Sequence, residues 1–227
     1  PKQIPSNCLL RGQGANLTTL KIDLGGSGNG FNIQGSQSAI DTSCFMVNAY
    51  KDSTKIVVFN AASFVVGDWI RICEQDVDLV TSSWAIGSVG QIARIENING
   101  NTIQLASPLR MAYALNRQPF IKKLNMKRNV GIECLSIIRL DNTAPEQAAN
   151  ILFQFAENCW LNGIASTNCT FGHVVAESSS NLQIEKSYFH DGFEYGGGGR
   201  GYGVVLQFTS NECRVENNIF EHLRHSM

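Results

Sequence analysis

The chain has 227 residues, 43% hydrophobic and 16% charged, with 18 basic against 19 acidic residues and a net charge of −1. That apolar content excludes extended disorder, the missing basic excess argues against a nucleic-acid partner, and no apolar run approaches the ~20 residues of a membrane helix. The 21 glycines and 5 prolines, with many Asn and Ser between short apolar stretches, point to short strands joined by polar turns. The chain opens at Pro1 without an initiator Met or a charged-then-apolar leader, and it stops at Met227 after a strand-like run, as expected of a piece of a longer protein.

In chain order, the first element is Ile4-Pro-Ser-Asn-Cys-Leu-Leu10, followed by Arg11-Gly-Gln-Gly-Ala-Asn-Leu-Thr18. Gly12-x-Gly14 is not a dinucleotide loop, because no βαβ unit follows it. From about 51 to 107 the texture changes. Lys55–Phe59, Trp69–Ile72, Gln91–Ile95 and Thr102–Leu105 read as antiparallel strands, and Asn99-Gly100 is a hairpin turn signal. We expect a small inserted β-domain here. Its loop carries Glu74, Asp76 and Asp78, a spacing that could hold Ca²⁺ but lacks the full ligand pattern of a calcium loop. A local basic run follows, Arg117, Lys122, Lys123, Lys127 and Arg128, which would either steer an anionic glycan or form a solvated outer face.

The second half repeats itself. Val130–Ile137, Cys159–Ser166, Leu182–Phe189 and Cys213–Phe220 align without gaps on Ile132, Leu161, Ile184 and Val215, which are 29, 23 and 31 residues apart. Asn129, Asn158, Asn181 and Glu212 precede the four segments at the equivalent place. Apolar runs lie ahead of them at Phe120-Ile121, Ile151–Phe155, His173–Ala176 and Val204–Phe208. Units this small cannot bury their own apolar faces, so they must stack. Cys8, Cys44, Cys73, Cys134, Cys159, Cys169 and Cys213 contain no C-x-x-C pair. That argues against zinc and for thiols packed as small hydrophobes, with disulfides among some of them left open.

These repeats and the opening segment resemble coils of the right-handed parallel β-helix of the pectin-lyase-like superfamily. The resemblance covers about residues 1–50 and 108–227. It implies an all-β solenoid: first coils over 1–50, the inserted antiparallel β-domain over 51–107, and coils over 108–227 continuing beyond the chain end. The superfamily hosts lyases, hydrolases, epimerases, phage spikes and adhesins, so it does not select one activity. Several of its lyases use calcium; no other cofactor is expected.

Continuing the repeat alignment past each strand forms columns of side chains. Arg139, Asn168, Asp191 and His222 share one, and Ile138, Thr167, His190 and Glu221 share the next. Coils lie ~4.8 Å apart, so Asp191 is expected near His222 and His190 near Glu221, with Glu194 opposite His225. Gly196–Gly199 then Arg200 and Tyr202 read as a mobile loop that presents an arginine and an aromatic ring to a sugar. A β-elimination lyase needs a base and a neutraliser for the uronate carboxylate; His190, His222, Arg200 and Arg224 are the candidates. A glycoside hydrolase needs two carboxyls about 5–5.5 or about 6.5–9.5 Å apart; Asp191, Glu194 and Glu221 are available. We expect a secreted or cell-surface protein that binds an acidic polysaccharide, with catalysis at His190, Asp191, Glu221, His222, Arg224 and His225 and substrate contacts at Glu194, Arg200 and Tyr202. The alternative is a non-catalytic spike or adhesin stalk in which the same groups satisfy one another. Two sequons, Asn16-Leu-Thr18 and Asn168-Cys-Thr170, matter only in a eukaryotic source. Terminal coils with uncapped edges predict self-association of the isolated segment.

Overall fold

A computed structural model describes residues 2–142 and 147–227. The chain divides into two compact units: Pro1–Gln34, Lys127–Gln207 and Glu212–Met227 form one, and Gly35–Met126 with Phe208–Asn211 form the other.

The first unit is a right-handed parallel β-helix with three faces, each a five-stranded sheet. The first face stacks Lys2–Gln3, Phe31–Gln34, Ala149–Gln154, Gly172–Glu177 and Tyr202–Gln207. The second stacks Cys8–Arg11, Val130–Glu133, Trp160–Asn162, Gln183–Glu185 and Arg214–Glu216. The third stacks Thr19–Ile22, Ser136–Arg139, Ala165–Thr167, Tyr188–His190 and Ile219–Glu221. The register follows the sequence repeats residue for residue. Leu10, Ile132, Leu161, Ile184 and Val215 form one inward column. Phe31, Ile151, Val174 and Val204 form another. Because strand side chains alternate, these columns meet inside the coil. Each buried Ile, Leu or Phe contributes about 1.5–3 kcal/mol by leaving water.

The corners explain the polar residues between the strands. Asn7, Asn129, Asn158, Asn181 and Glu212 all have φ between 52° and 59°. Asn tolerates this left-handed conformation better than most residues because its short side chain bonds locally. Asn129 Nδ2 donates to Asn7 Oδ1 at 2.8 Å, so the corners also pair along the axis. None of the seven cysteines is in a disulfide. Burial raises Cys159 to about 11 and Cys169 to about 12, so these thiols pack as apolar groups and are poor nucleophiles.

The second unit is a six-stranded sheet in the order Ser36–Cys44, Phe120–Asn125, Trp69–Cys73, Gly90–Asn99, Thr102–Leu105, Lys55–Val57, antiparallel throughout. Asn99 pairs with Thr102 across a two-residue turn in which Gly100 has φ 58°. Its core gathers Phe45, Ile56, Ile70, Ile72, Ile95, Ile103 and Tyr113. This unit is wider than residues 51–107. Ser36–Cys44 is mostly polar and carries no strand signal, and its partner Phe120–Asn125 is distant in sequence. Phe120-Ile121 therefore belongs to this sheet, and the corresponding first-face strand of the coil is Phe31–Gln34, on the other side of the insert.

Candidate functional site

The third face ends in a corner that the repeat alignment had singled out. Thr167, His190 and Glu221 are paired neighbours on successive coils. The next residues, Asn168, Asp191 and His222, turn the chain at φ 60°, 61° and 49°. His190 Nε2 lies 2.9 Å from Thr167 Oγ1, and His190 Nδ1 lies 2.9 Å from Asp191 Oδ2. The other Asp191 oxygen, Oδ1, is 3.3 Å from His222 Nδ1. One carboxylate thus holds two imidazoles from adjacent coils. These bonds, the one to His190 above all, keep the Asp191 carboxyl below the usual range against the opposing effect of burial. The His222 side chain is 71% exposed, and its Nε2 is 3.9 Å from Glu221 Oε1.

Two supports of this corner were not foreseen. Tyr188 stacks on the His190 ring at 4.3 Å and 19° and donates its hydroxyl to Glu221. The bond to Glu221 raises the phenol. Tyr188 is two residues before His190 on one strand, hence on the same side of the sheet; that spacing was the available signal. Beneath the corner, His173 is fully buried and donates from Nε2 to the Asp191 carbonyl at 3.1 Å. Its Nδ1 accepts from Ser166 Oγ at 2.8 Å. Asn150 Nδ2 donates to Ser166 Oγ at 3.0 Å and to the Asn168 carbonyl at 2.8 Å. Desolvation lowers His173 to about 3, so it is a neutral tie that positions the Asp191 turn. Within an apolar run of sequence it reads as core, which concealed this role.

The remaining predicted residues lie elsewhere. Arg200 pairs with Glu194. His225 stacks on Tyr202 at 5.1 Å and 16°, and Phe171 meets the same tyrosine edge-on at 5.5 Å. In the coil register His225 thus stands opposite Tyr202, where Glu194 was expected. The excursion through Gly192–Gly201 shifts the coils out of column equivalence just where that pair would form. Arg224 donates from its backbone to the Gly201 carbonyl at 2.8 Å and from its guanidinium to the Gly196 carbonyl at 2.6 Å. Gln147 Nε2 donates to the Gly198 carbonyl at 2.5 Å. The glycine run is thus tethered at both ends, and Arg200 is turned inward on Glu194 instead of outward. A Cβ at Gly201 (φ 70°) would lie 2.8 Å from the Glu194 carbonyl oxygen, so glycine is required there.

The acidic loop and the basic run are also engaged internally. Asp76 accepts from the Gly87 and Val89 amides at 2.9 and 3.0 Å, and Asp78 accepts from Arg117 at 2.7 Å. Among the described residues, no group of three His, Cys, Asp or Glu side chains is arranged to hold a metal ion. Lys123 pairs with Asp68 at 2.8 Å and Arg128 with Glu157 at 2.5 Å, so the basic run is largely neutralised where it sits.

Among solved structures, the tailspike protein gp49 of Pseudomonas phage LKA1 matches 90% of this chain with a TM-score of 0.66 and 17% identity. The tailspike gp61 of Pseudomonas phage phi297 matches 98% with a TM-score of 0.71 and 12% identity. In fold, the chain is similar to phage tailspikes. It covers 34% and 37% of those two proteins, about a third of each tailspike. No protein-family model and no curated protein matches it. No helix among the described residues is long and apolar enough to cross a membrane.

Proposed function

We propose that the chain is the polysaccharide-binding β-helix of a tailspike-like protein acting outside the cell, and that it engages an acidic polysaccharide along the third-face corner. The observation that carries this reading is the chain of contacts Thr167–His190–Asp191–His222, which runs parallel to the solenoid axis. Its own contacts engage both ring nitrogens of His190 and both oxygens of Asp191, so the row is preorganised and turns His222 Nε2 toward a ligand lying along the coils. Tyr188 adds an apolar ring face beside it. Arg200, Glu194 and Tyr202 are internally engaged and contribute structure to the neighbouring excursion.

A second reading, cleavage by β-elimination, is favoured by one feature. Asp191 accepts the Nδ1 proton of His222, which leaves His222 Nε2 unprotonated and turned to solvent, the arrangement of an oriented general base. Proton abstraction α to a uronate carboxylate would start there, and Arg224 is the nearest cation in sequence to neutralise that carboxylate.

Affinity electrophoresis of the whole chain in gels containing pectate, alginate or an anionic bacterial capsular polysaccharide tests the first reading. Retardation by at least one is expected. Asp191→Asn is expected to weaken it about tenfold or more, because a charge-assisted bond contributes about 1.5–3 kcal/mol. No retardation by any of them would leave a structural stalk as the better description. Ultraviolet absorbance of unsaturated product, abolished by His222→Ala, separates cleavage from binding alone.

A further inference from the structure

Trp160 lies on the outer surface of the second face, in one column with Gly131 on the preceding coil and Gln183 and Arg214 on the following ones. The indole covers the backbone of Gly131: a Cβ at that position would fall 2.3 Å from Trp160 Cε2 and 2.7 Å from Nε1. Any other residue there would lift the ring. Glu133 Oε1 accepts from Trp160 Nε1 at 2.6 Å and fixes the ring about its own axis. The underside and the N–H edge of the indole are thus engaged by the protein.

On the opposite side from Gly131, a groove of ≈ 440 Å³ runs over the next two coils. Trp160 forms one wall. Asn158, Asn181, Gln183, Glu212 and Arg214 supply its polar lining, with the corner asparagines held at φ 52° and 53°. Amides both donate and accept, as vicinal hydroxyls do. The charges of the surrounding face are mostly negative: Glu133, Glu185, Glu212 and Glu216 stand against Arg11, Lys186 and Arg214. The three cations are drawn to those carboxylates, Arg11 to Glu133 at 3.6 Å, Lys186 to Glu185 at 3.7 Å and Arg214 to Glu216. A polyanion gains nothing from such a surface.

We infer that this groove is a second carbohydrate subsite, which takes an uncharged sugar unit with its apolar face on the Trp160 indole and its hydroxyls on Asn181, Gln183 and Arg214. The inference takes its ligand class from the polysaccharide reading of the coils, but it uses none of the corner residues at His190–His222. Aromatic rings provide large contact area at small entropic cost, and the fixed indole is preorganised for it.

The test is a titration of the whole chain with neutral oligosaccharides (maltohexaose, cellohexaose, chitohexaose and a rhamnose oligomer), followed by isothermal titration calorimetry in every variant and by tryptophan emission in the unsubstituted chain. At least one is expected to shift the emission to saturation. Trp160→Ala should weaken that ligand at least tenfold, and Trp160→Phe should recover part of the loss because a stacking face returns. The exposed substitutions Gln183→Ala and Arg214→Ala, which leave the core untouched, should each weaken it about threefold. Asp191→Asn should leave it unchanged. Absence of any saturable shift across the panel overturns the inference, as does undiminished binding by Trp160→Ala or by the Gln183→Ala, Arg214→Ala double variant. If uronans fail to bind while a neutral sugar still titrates Trp160, the corner reading falls and this one stands.

Discussion

The coils and the inserted sheet both bury rows of isoleucine and phenylalanine, yet they assemble those rows by different means. In the coils each inward residue meets its equivalent one winding away, so Ile132, Leu161, Ile184 and Val215 form a column that the chain revisits at near-regular intervals. In the sheet, Thr102–Leu105 returns on Gly90–Asn99 through a tight turn, whereas Ser36–Cys44 is closed against Phe120–Asn125 from far away. Parallel stacking makes a sequence alignment into a map of contacts; antiparallel closure does not.

Core truncation should expose the contrast most strongly. Phe153→Ala, in the fully buried interior of the coils, is expected to cost about 3–5 kcal/mol, and Ile72→Ala in the sheet about 2–5 kcal/mol. Native-state hydrogen exchange should show each loss concentrated among the amides of its own unit. Equal loss of protection in both units after either substitution would mean that they unfold together, and the comparison would lose its energetic content.

Acid should act next, and on the coils. His173 is neutral when folded and titrates only at about 3, whereas an exposed histidine binds a proton near 6.5. Between those values the unfolded chain holds one more proton than the native one, so stability rises with pH there and falls on acidification. The expected contribution is about 1.4 kcal/mol per pH unit within that window. Denaturant melts across pH 4–7 (roughly the window set by the two pKa values) should lose this slope in His173→Phe. An unchanged slope would mean that the proton is taken up elsewhere.

Corners should give the smallest effects. Asn181→Ala at φ 53° is expected to cost about 1–2 kcal/mol and Asn181→Gly close to nothing, while Gly100→Ala at φ 58° should cost about as much in the sheet. Thermal melts would sharpen the point. A costly Asn181→Gly would show that the side-chain ladder along the axis outweighs the backbone conformation.

Much of the coil was legible in the sequence, because a repeat constrains every position at once. The four aligned segments give the true register, and the columns through His190 and His222 are the observed ones. Legibility failed where the period was broken. The insert splits a coil at a corner, which hid Phe31–Gln34 as the partner of Ile151 and made Phe120-Ile121 look like coil. The glycine excursion puts Tyr202 instead of Glu194 opposite His225. His173 was hidden for another reason: nothing in an apolar neighbourhood announces that a buried ring is there to tie down a turn two strands along the chain.

Every winding presents the same three inward columns to the one above and below it. A whole turn of chain, cut at one corner and rejoined at the next, should therefore be removable or duplicable as a cassette. The molecule would shorten or lengthen by about 4.8 Å per cassette, with the surviving ladders still aligned. Nature or an engineer could use that property to adjust the length of the surface offered to a chain-like ligand, one step at a time, without redesigning its cross-section.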